Sequence, residues 1–418
     1  MRVASLALGL ASTVVIARTL GPRGQGVVAM LWFVGGLAVQ LGNLGLHATA
    51  TYFVAQEHAR LGSVVTLSVA QSALVGGALA LLLMGLAHGQ PGWFAGVAPD
   101  YVTLFALAVP FMLAALFFQS TLLGLERIRA YNGIETGGRA LLLLLLLISL
   151  VALQAGLVLA VISIVTTQLL VCLGYGIALR WAGAKWELRF PAGFVSAALG
   201  YGLKAYFTAL FAFLVIRADI FLVNYLRGTA AAGLYSVAVS LADQALLLPT
   251  IIGLMLFPAV ARPQQAREQL TLTLQVSRQT VAVMLLLVVV LAVAARPVLW
   301  LLYGPAFHES APAFHWLLPG IFLLSVEIVL AQHLAALGFP RALVFVWLAG
   351  FLLNLPLNLV LIPRWGIVGA AVASSLSYGF VFLAVLRMFL SRTQAELRAV
   401  LVPRWSELRQ LFSRRPPT

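Results

Sequence analysis

Apolar runs of about 20 residues recur along the whole chain, separated by short stretches rich in Gly, Pro, Arg and polar residues. Each run is long enough to cross a ~30 Å hydrocarbon layer as a helix rising ~1.5 Å per residue. The pattern predicts twelve spans, at 3–20, 28–55, 64–87, 102–125, 139–153, 157–181, 199–226, 234–260, 280–303, 314–337, 343–362 and 367–390. The fifth is the shortest, and only residues 154–156 separate it from the sixth. The first run begins at Val3 with no small-residue cleavage site, so it reads as a retained span. The connections are too short for an extramembrane domain. The fold class is an all-α, polytopic membrane protein.

Composition agrees. Of 418 residues, 62% are hydrophobic and 9% charged, against roughly a quarter charged in a soluble chain. The net charge of +14 would suit nucleic acid, but its placement argues otherwise. With both termini cytoplasmic, 20 of the 26 basic residues fall on the inner side. Five (Arg18, Arg23, Arg227, Arg296 and Arg364) fall on the outer, and Arg217 lies within a span. That asymmetry predicts an N-in, C-in topology and a basic face toward anionic lipid headgroups, with no nucleic-acid partner. The single cysteine, Cys172, excludes an internal disulfide and Cys-rich metal sites. Neither lysine follows a glycine, so no phosphate loop is present, and no His pair has zinc-protease spacing. No catalytic residue, metal site or cofactor is expected.

The chain also repeats itself. Gly21 and Gly26 in GPRGQG match Gly228 and Gly233 in GTAAAG at an offset of 207. GLER at Gly124 matches GFPR at Gly338 at 214, and Gly156 matches Gly366 at 210. Two six-span halves in parallel orientation follow: 1–181, a basic cytoplasmic linker 182–198, 199–390, and a basic cytoplasmic tail 391–418. Apolar residues from Leu397 to Phe412 between arginines suit a short surface helix in the tail, interrupted at Pro403.

Charge inside spans is rare and costs roughly 2.5–3.5 kcal/mol or more per residue at the bilayer centre, so it faces a partner or a wet cavity. The stretch 217–258 holds Arg217, Asp219 and Asp243, with a Gly-rich turn expected over 228–233. Glu327 is the third acid deep in a span. Arg217 and Asp219, two apart, point to different sides of a helix. Gln40, Asn43, His47 and Thr51 share one helical face, and Asn354 lies one turn from Asn358. Such polar stripes serve either as interhelical hydrogen-bond glue, worth roughly 0.6 kcal/mol each, or as cavity lining.

Several segments together resemble a known family. ARTLGPRGQGVVAM followed by LGNLGLHATATYFVA looks like the first hairpin of the polysaccharide repeat-unit flippases, within the multidrug/oligosaccharidyl-lipid/polysaccharide exporter superfamily. ADIFLVNYLRGTAAAGLYSVAVSLAD with LFPAVA is similar to that family's seventh and eighth helices. LLYGPAFHESAPAFHWLLPG, ALGFPR and LNLVLIPRWGIVGAAVASSLS resemble its ninth to twelfth segments, in the right order. The family carries a cytoplasmic segment before helix one, whereas here the first run begins at Val3.

The resemblance implies two six-helix lobes in a V, alternating access driven by an ion gradient, and flipping of a polyprenyl-pyrophosphate-linked O-antigen or exopolysaccharide unit across a bacterial inner membrane. It implies no enzymatic step. Partners would be the lipid-linked glycan, membrane lipids, a glycan polymerase and a chain-length regulator. Arg217, Arg18 and Lys204 are the positions for the pyrophosphate, with Asn43, His47 and Asn354 lining the cavity. Asp219, Asp243 and Glu327 are the candidates for ion coupling. Two competing readings stay open: efflux of small cations on the same fold, and a membrane glycan polymerase or ligase.

Overall fold

The computed structural model describes residues 2–47, 54, 61–185, 187, 202–261, 266–338 and 341–403. Every long element among them is a helix. The first, α1 (Arg2–Asn43), has 42 residues. Unbroken it would run ~63 Å, about twice the hydrocarbon thickness. It is broken at Gly21, which adopts φ 65°, ψ −173°, with Pro22 opening the second limb where its missing N–H is harmless. Among the described residues, eleven helices are long and apolar enough to cross a membrane, and α1 supplies two limbs. The twelve-crossing expectation therefore holds, and this is a multi-pass membrane protein.

The remaining helices are α2 (Leu61–Gly89), α3 (Pro99–Gly124), α4 (Ile128–Ala152), α5 (Gly156–Trp181) and α6 (Leu203–Arg227). After them come α7 (Thr229–Ala261), α8 (Ala266–Tyr303), α9 (Ser310–Ala336), α10 (Arg341–Trp365), α11 (Ile367–Thr393) and the short α12 (Leu397–Leu401).

Four expectations are corrected. The fifth span starts at Ile128, not 139, because Tyr131 and Glu135 are helical residues turned to partners rather than loop. The ninth starts at Ala266, not 280. Its polar first turns bury Gln269, Thr273, Ser277 and Arg278 against other elements. The stretch 228–233 is no turn: only Gly228 (φ 85°, ψ 172°) breaks the chain, and the helix resumes at Thr229. The second span ends at Asn43, where Leu44 and Gly45 take positive φ. Asn43 and His47 thus do not share a continuous helical face, and Thr51 lies outside the described residues.

The chain divides into two compact units, Met1–Ser236 and Val237–Thr418. The expected linker 182–198 lies mostly outside the described residues. Hydrophobic contrast with lipid tails does not drive helix association, so close packing over small residues carries much of it. In the first unit, Met30, Leu31, Phe105, Leu146 and Ile164 lie in one apolar cluster; Leu61, Leu122, Tyr175 and Leu179 lie in another. In the second unit, α9 is the most buried span. At Gly320 a Cβ would lie 2.6 Å from the Ser375 Cα, and Ser375 Oγ accepts from the Gly320 N–H at 3.2 Å, so α9 and α11 touch backbone to backbone. In the tail, Val400 is buried: its carbonyl accepts from Ser277 Oγ at 3.1 Å, and the Ala399 carbonyl accepts from Arg278 Nη1 at 2.6 Å. The start of the tail is thereby fastened to α8.

The repeat is visible in backbone conformation. Gly21 and Gly228 share an extended, positive-φ geometry, and Gly156 and Gly366 also take positive φ. The third match shifts. Gly338 has positive φ (103°), but its counterpart is Glu126 (φ 57°), not Gly124, which is helical.

Candidate functional site

The first unit holds a half-open cavity of about 420 Å³ between α1, α4 and α5. Its charge comes from Glu135 and Arg139, one turn apart on α4. Arg139 Nε donates to Glu135 Oε1 at 3.0 Å, and Nη2 lies 3.0 Å from the same oxygen. Arg139 Nη1 reaches the Ser5 carbonyl on α1 at 3.4 Å. Gly9 makes room for it: a Cβ there would lie 2.8 Å from Arg139 Nη1. Glu135 Oε2 accepts from the Tyr175 hydroxyl on α5 at 3.5 Å, and Tyr175 stacks on Tyr131. An i,i+4 pair in water is worth only ~0.3–0.5 kcal/mol. Here the two side chains are 40% and 32% exposed, so the pair orders the cavity wall more than it stabilises the fold.

The rest of the lining presents acceptors. Ser12, Thr13 and Thr167 each donate their hydroxyl proton to the carbonyl four residues back, at 3.0, 3.1 and 2.8 Å. Their oxygen lone pairs remain for a guest. Gln25 Nε2 donates to Ser236 Oγ at 3.3 Å, while the buried Gln25 Oε1 has no partner among the described residues. A buried acceptor left unmet costs roughly 1–3 kcal/mol, so this atom suits a donor that arrives with solvent or ligand. Trp32 also lines the cavity, with its ring edge-on to Phe105 at 5.7 Å. An aromatic face, hydroxyl and amide acceptors and a guanidinium–carboxylate pair together match a hydroxyl-rich guest.

The residues expected from sequence lie elsewhere. Arg18 is exposed at the end of the first limb of α1, and Arg217 is half-buried on α6; neither lines this cavity. Lys204 belongs to α6, but its side chain lies outside the described residues. Asp219 is fully buried, and its Oδ2 accepts from the Tyr235 hydroxyl at 2.5 Å, joining α6 to α7. Asn43 Oδ1 accepts from the Gly45 N–H at 3.0 Å and sits 2.7 Å from His47 Nδ1, which makes Asn43 the terminator of α1. In the second unit, Asp243 is half-buried on α7, and Glu327 is buried on α9 with Oε1 unpartnered among the described residues. Asn354 Nδ2 donates to Ser377 Oγ at 3.1 Å and its Oδ1 accepts from Asn358 at 2.9 Å, which links α10 to α11. No metal-holding group of three His, Cys, Asp or Glu occurs among the described residues.

Glu135, Arg139, Gln25 and Trp32 were not singled out from sequence. The available signal was the i,i+4 Glu–Arg spacing ahead of the fifth apolar run, which reads more readily as a cytoplasmic loop.

A family model described as "Polysaccharide biosynthesis protein" matches residues 15–312, well over half the chain. The chain belongs to that family. A curated relative, "Probable low-salt glycan biosynthesis flippase Agl15" of Haloferax volcanii, is 26% identical over 163 residues. That match takes in 38% of this chain and about a third (34%) of the relative's length. Among solved structures, an inward-facing multidrug resistance MATE family transporter of the MOP superfamily aligns with TM-score 0.79 and 13% identity, over 94% of each chain. Lipid II flippase MurJ, in an inward closed conformation, aligns with TM-score 0.76 and 13% identity, over 98% of this chain and 91% of that one. These likenesses show the fold: it is the one shared by MATE and MurJ transporters.

Proposed function

We propose that this protein flips a lipid-linked glycan from the inner to the outer leaflet of a bacterial cytoplasmic membrane, without enzymatic chemistry. The observation that carries the reading is the cavity around Glu135, Arg139, Gln25 and Trp32, set inside a family member of MurJ-like fold. A glycan head cannot cross hydrocarbon bare, since each unmet polar group costs several kcal/mol. A cavity offering acceptors and an ion pair within a span exchanges those water contacts for protein ones.

In this reading Arg217 and Arg18, with Lys204, meet the polyprenyl pyrophosphate, for which guanidinium is the better bidentate partner. Asp243 and Glu327 are the acids for ion coupling. Asp219 already holds Tyr235, and Asn43, His47 and Asn354 serve helix ends and helix contacts. A polymerase and a chain-length regulator would act downstream on the outer face.

The test is a deletion strain. Lipid-linked repeat units should accumulate on the cytoplasmic side and clear when the wild-type gene returns, but not when Arg139→Ala does. Unchanged surface glycan in the deletion strain would sink the reading. The MATE likeness and the acid in the cavity favour one second reading, small-cation efflux. A deletion strain hypersensitive to cationic drugs with intact surface glycan would select it.

A further inference from the structure

α2, α3 and α5 of the first unit frame a groove of about 320 Å³ that shares no lining residue with the polar cavity. Its walls are apolar: Val69 from α2, Phe118 from α3, and Leu173 and Gly176 from α5. It ends at two cations, Arg180 in the last turn of α5 and Lys185 just beyond it. A second hollow, of about 420 Å³, shares Arg180, Ala184 and Lys185 and adds Gly183. An apolar slot thus runs into a cationic hollow.

Three further observations bear on what fills it. Arg180 spends one donor on the Ala184 carbonyl at 3.0 Å, and a guanidinium has five. Glu187, the acid nearest in sequence, accepts from Ser63 Oγ at 3.3 Å and does not line either hollow. Trp181, beside Arg180, is 83% exposed, as suits an indole at the headgroup level where hydrocarbon meets water.

We propose that this groove is a site for one anionic glycerophospholipid, its acyl chain between Phe118 and Leu173 and its phosphate held by Arg180 and Lys185. Basic pockets at helix ends on the cytoplasmic side recognise such headgroups, and two cations neutralise what a zwitterionic lipid would not offer. The inference is independent of the glycan reading. It concerns a different cavity and a different ligand.

Native mass spectrometry of the purified full chain tests it, with added phosphatidylglycerol or phosphatidylcholine of identical acyl chains. The wild type should keep one phosphatidylglycerol at activation energies that strip phosphatidylcholine. Arg180→Gln with Lys185→Gln should weaken retention about 10- to 30-fold, on the order expected for two surface cations. Gly176→Leu keeps both charges but fills the slot; the nearest atom to a Cβ there is Phe118 Cε2 at 3.6 Å, so the backbone tolerates it. It should lose the lipid too, while Arg296→Gln in the second unit should keep it. Equal retention of both lipids by the wild type, or undiminished phosphatidylglycerol on the double variant, would overturn the site. So would displacement of phosphatidylglycerol by equimolar polyprenyl phosphate, which would name the glycan carrier as occupant.

Discussion

Gly26 and Gly233 meet backbone to backbone, each standing where the other needs space. A Cβ on Gly26 would overlap the Thr229 carbonyl oxygen and lie 2.9 Å from the Gly233 nitrogen. A Cβ on Gly233 would overlap the Pro22 carbonyl oxygen and lie 2.9 Å from the Gly26 nitrogen. The contact is its own mirror across the 207-residue repeat, since Pro22 pairs with Thr229 as Gly26 pairs with Gly233. The two repeats join at their equivalent helix starts.

Substitution at that crossing should therefore be costly and equal from either side. Gly26→Ala and Gly233→Ala each press a methyl into backbone, and overpacking of this kind costs about 1–3 kcal/mol or more. Gly77→Ala on α2 has open space around it and should be neutral or stabilising by up to ~1 kcal/mol. Thermal unfolding in detergent compares the three. Wild-type Tm for either crossing variant would contradict the contact.

The Glu135–Arg139 pair should behave as a unit. Each single alanine variant leaves the other charge without its partner in the cavity wall, so Glu135→Ala or Arg139→Ala should lower Tm slightly more than the double variant does. A double-mutant cycle reads the coupling, expected at about 0.3–1 kcal/mol. Gly9→Ala should reproduce part of the Arg139→Ala loss of glycan export by moving the guanidinium. Additive effects would mean the two side chains do not depend on each other.

Tyr235→Phe removes the hydroxyl that Asp219 accepts from and should destabilise by about 1–3 kcal/mol. Asp219→Asn keeps an acceptor for that hydroxyl and should retain both fold and export. If export collapses in Asp219→Asn while Tm holds, Asp219 returns to the ion-coupling role expected from sequence.

Arg217→Ala should abolish glycan export while the protein still reaches the membrane in normal amount. Surface glycan and membrane-fraction immunoblots check this together. Export at the wild-type level would remove Arg217 from the pyrophosphate site.

Arg278→Ala should free the tail, since Arg278 and Ser277 hold the Ala399 and Val400 carbonyls. Trypsin should then cut after Arg398 several-fold faster, in keeping with a local opening made easier by about 1–1.5 kcal/mol for a lost hydrogen bond. Unchanged cleavage would show that the buried Val400 alone secures the segment.

The chain by itself determined its class, its twelve crossings and its family, and it placed a glycine-containing break after the first and the seventh span. The reason is local: the insertion of a span depends on the residues of that span, and a positive-φ break depends on one glycine. Tertiary structure alone decided what the polar residues are for. Glu135 looked like loop and Arg139 like the start of a span until Tyr175 and Ser5 closed around them, and Asn43 looked like cavity lining until it ended α1 at Gly45. Even the repeat, legible as spacing, did not disclose that Gly26 and Gly233 are small because each is pressed against the other's helix. Those partners lie tens to hundreds of residues away, where no local pattern reaches.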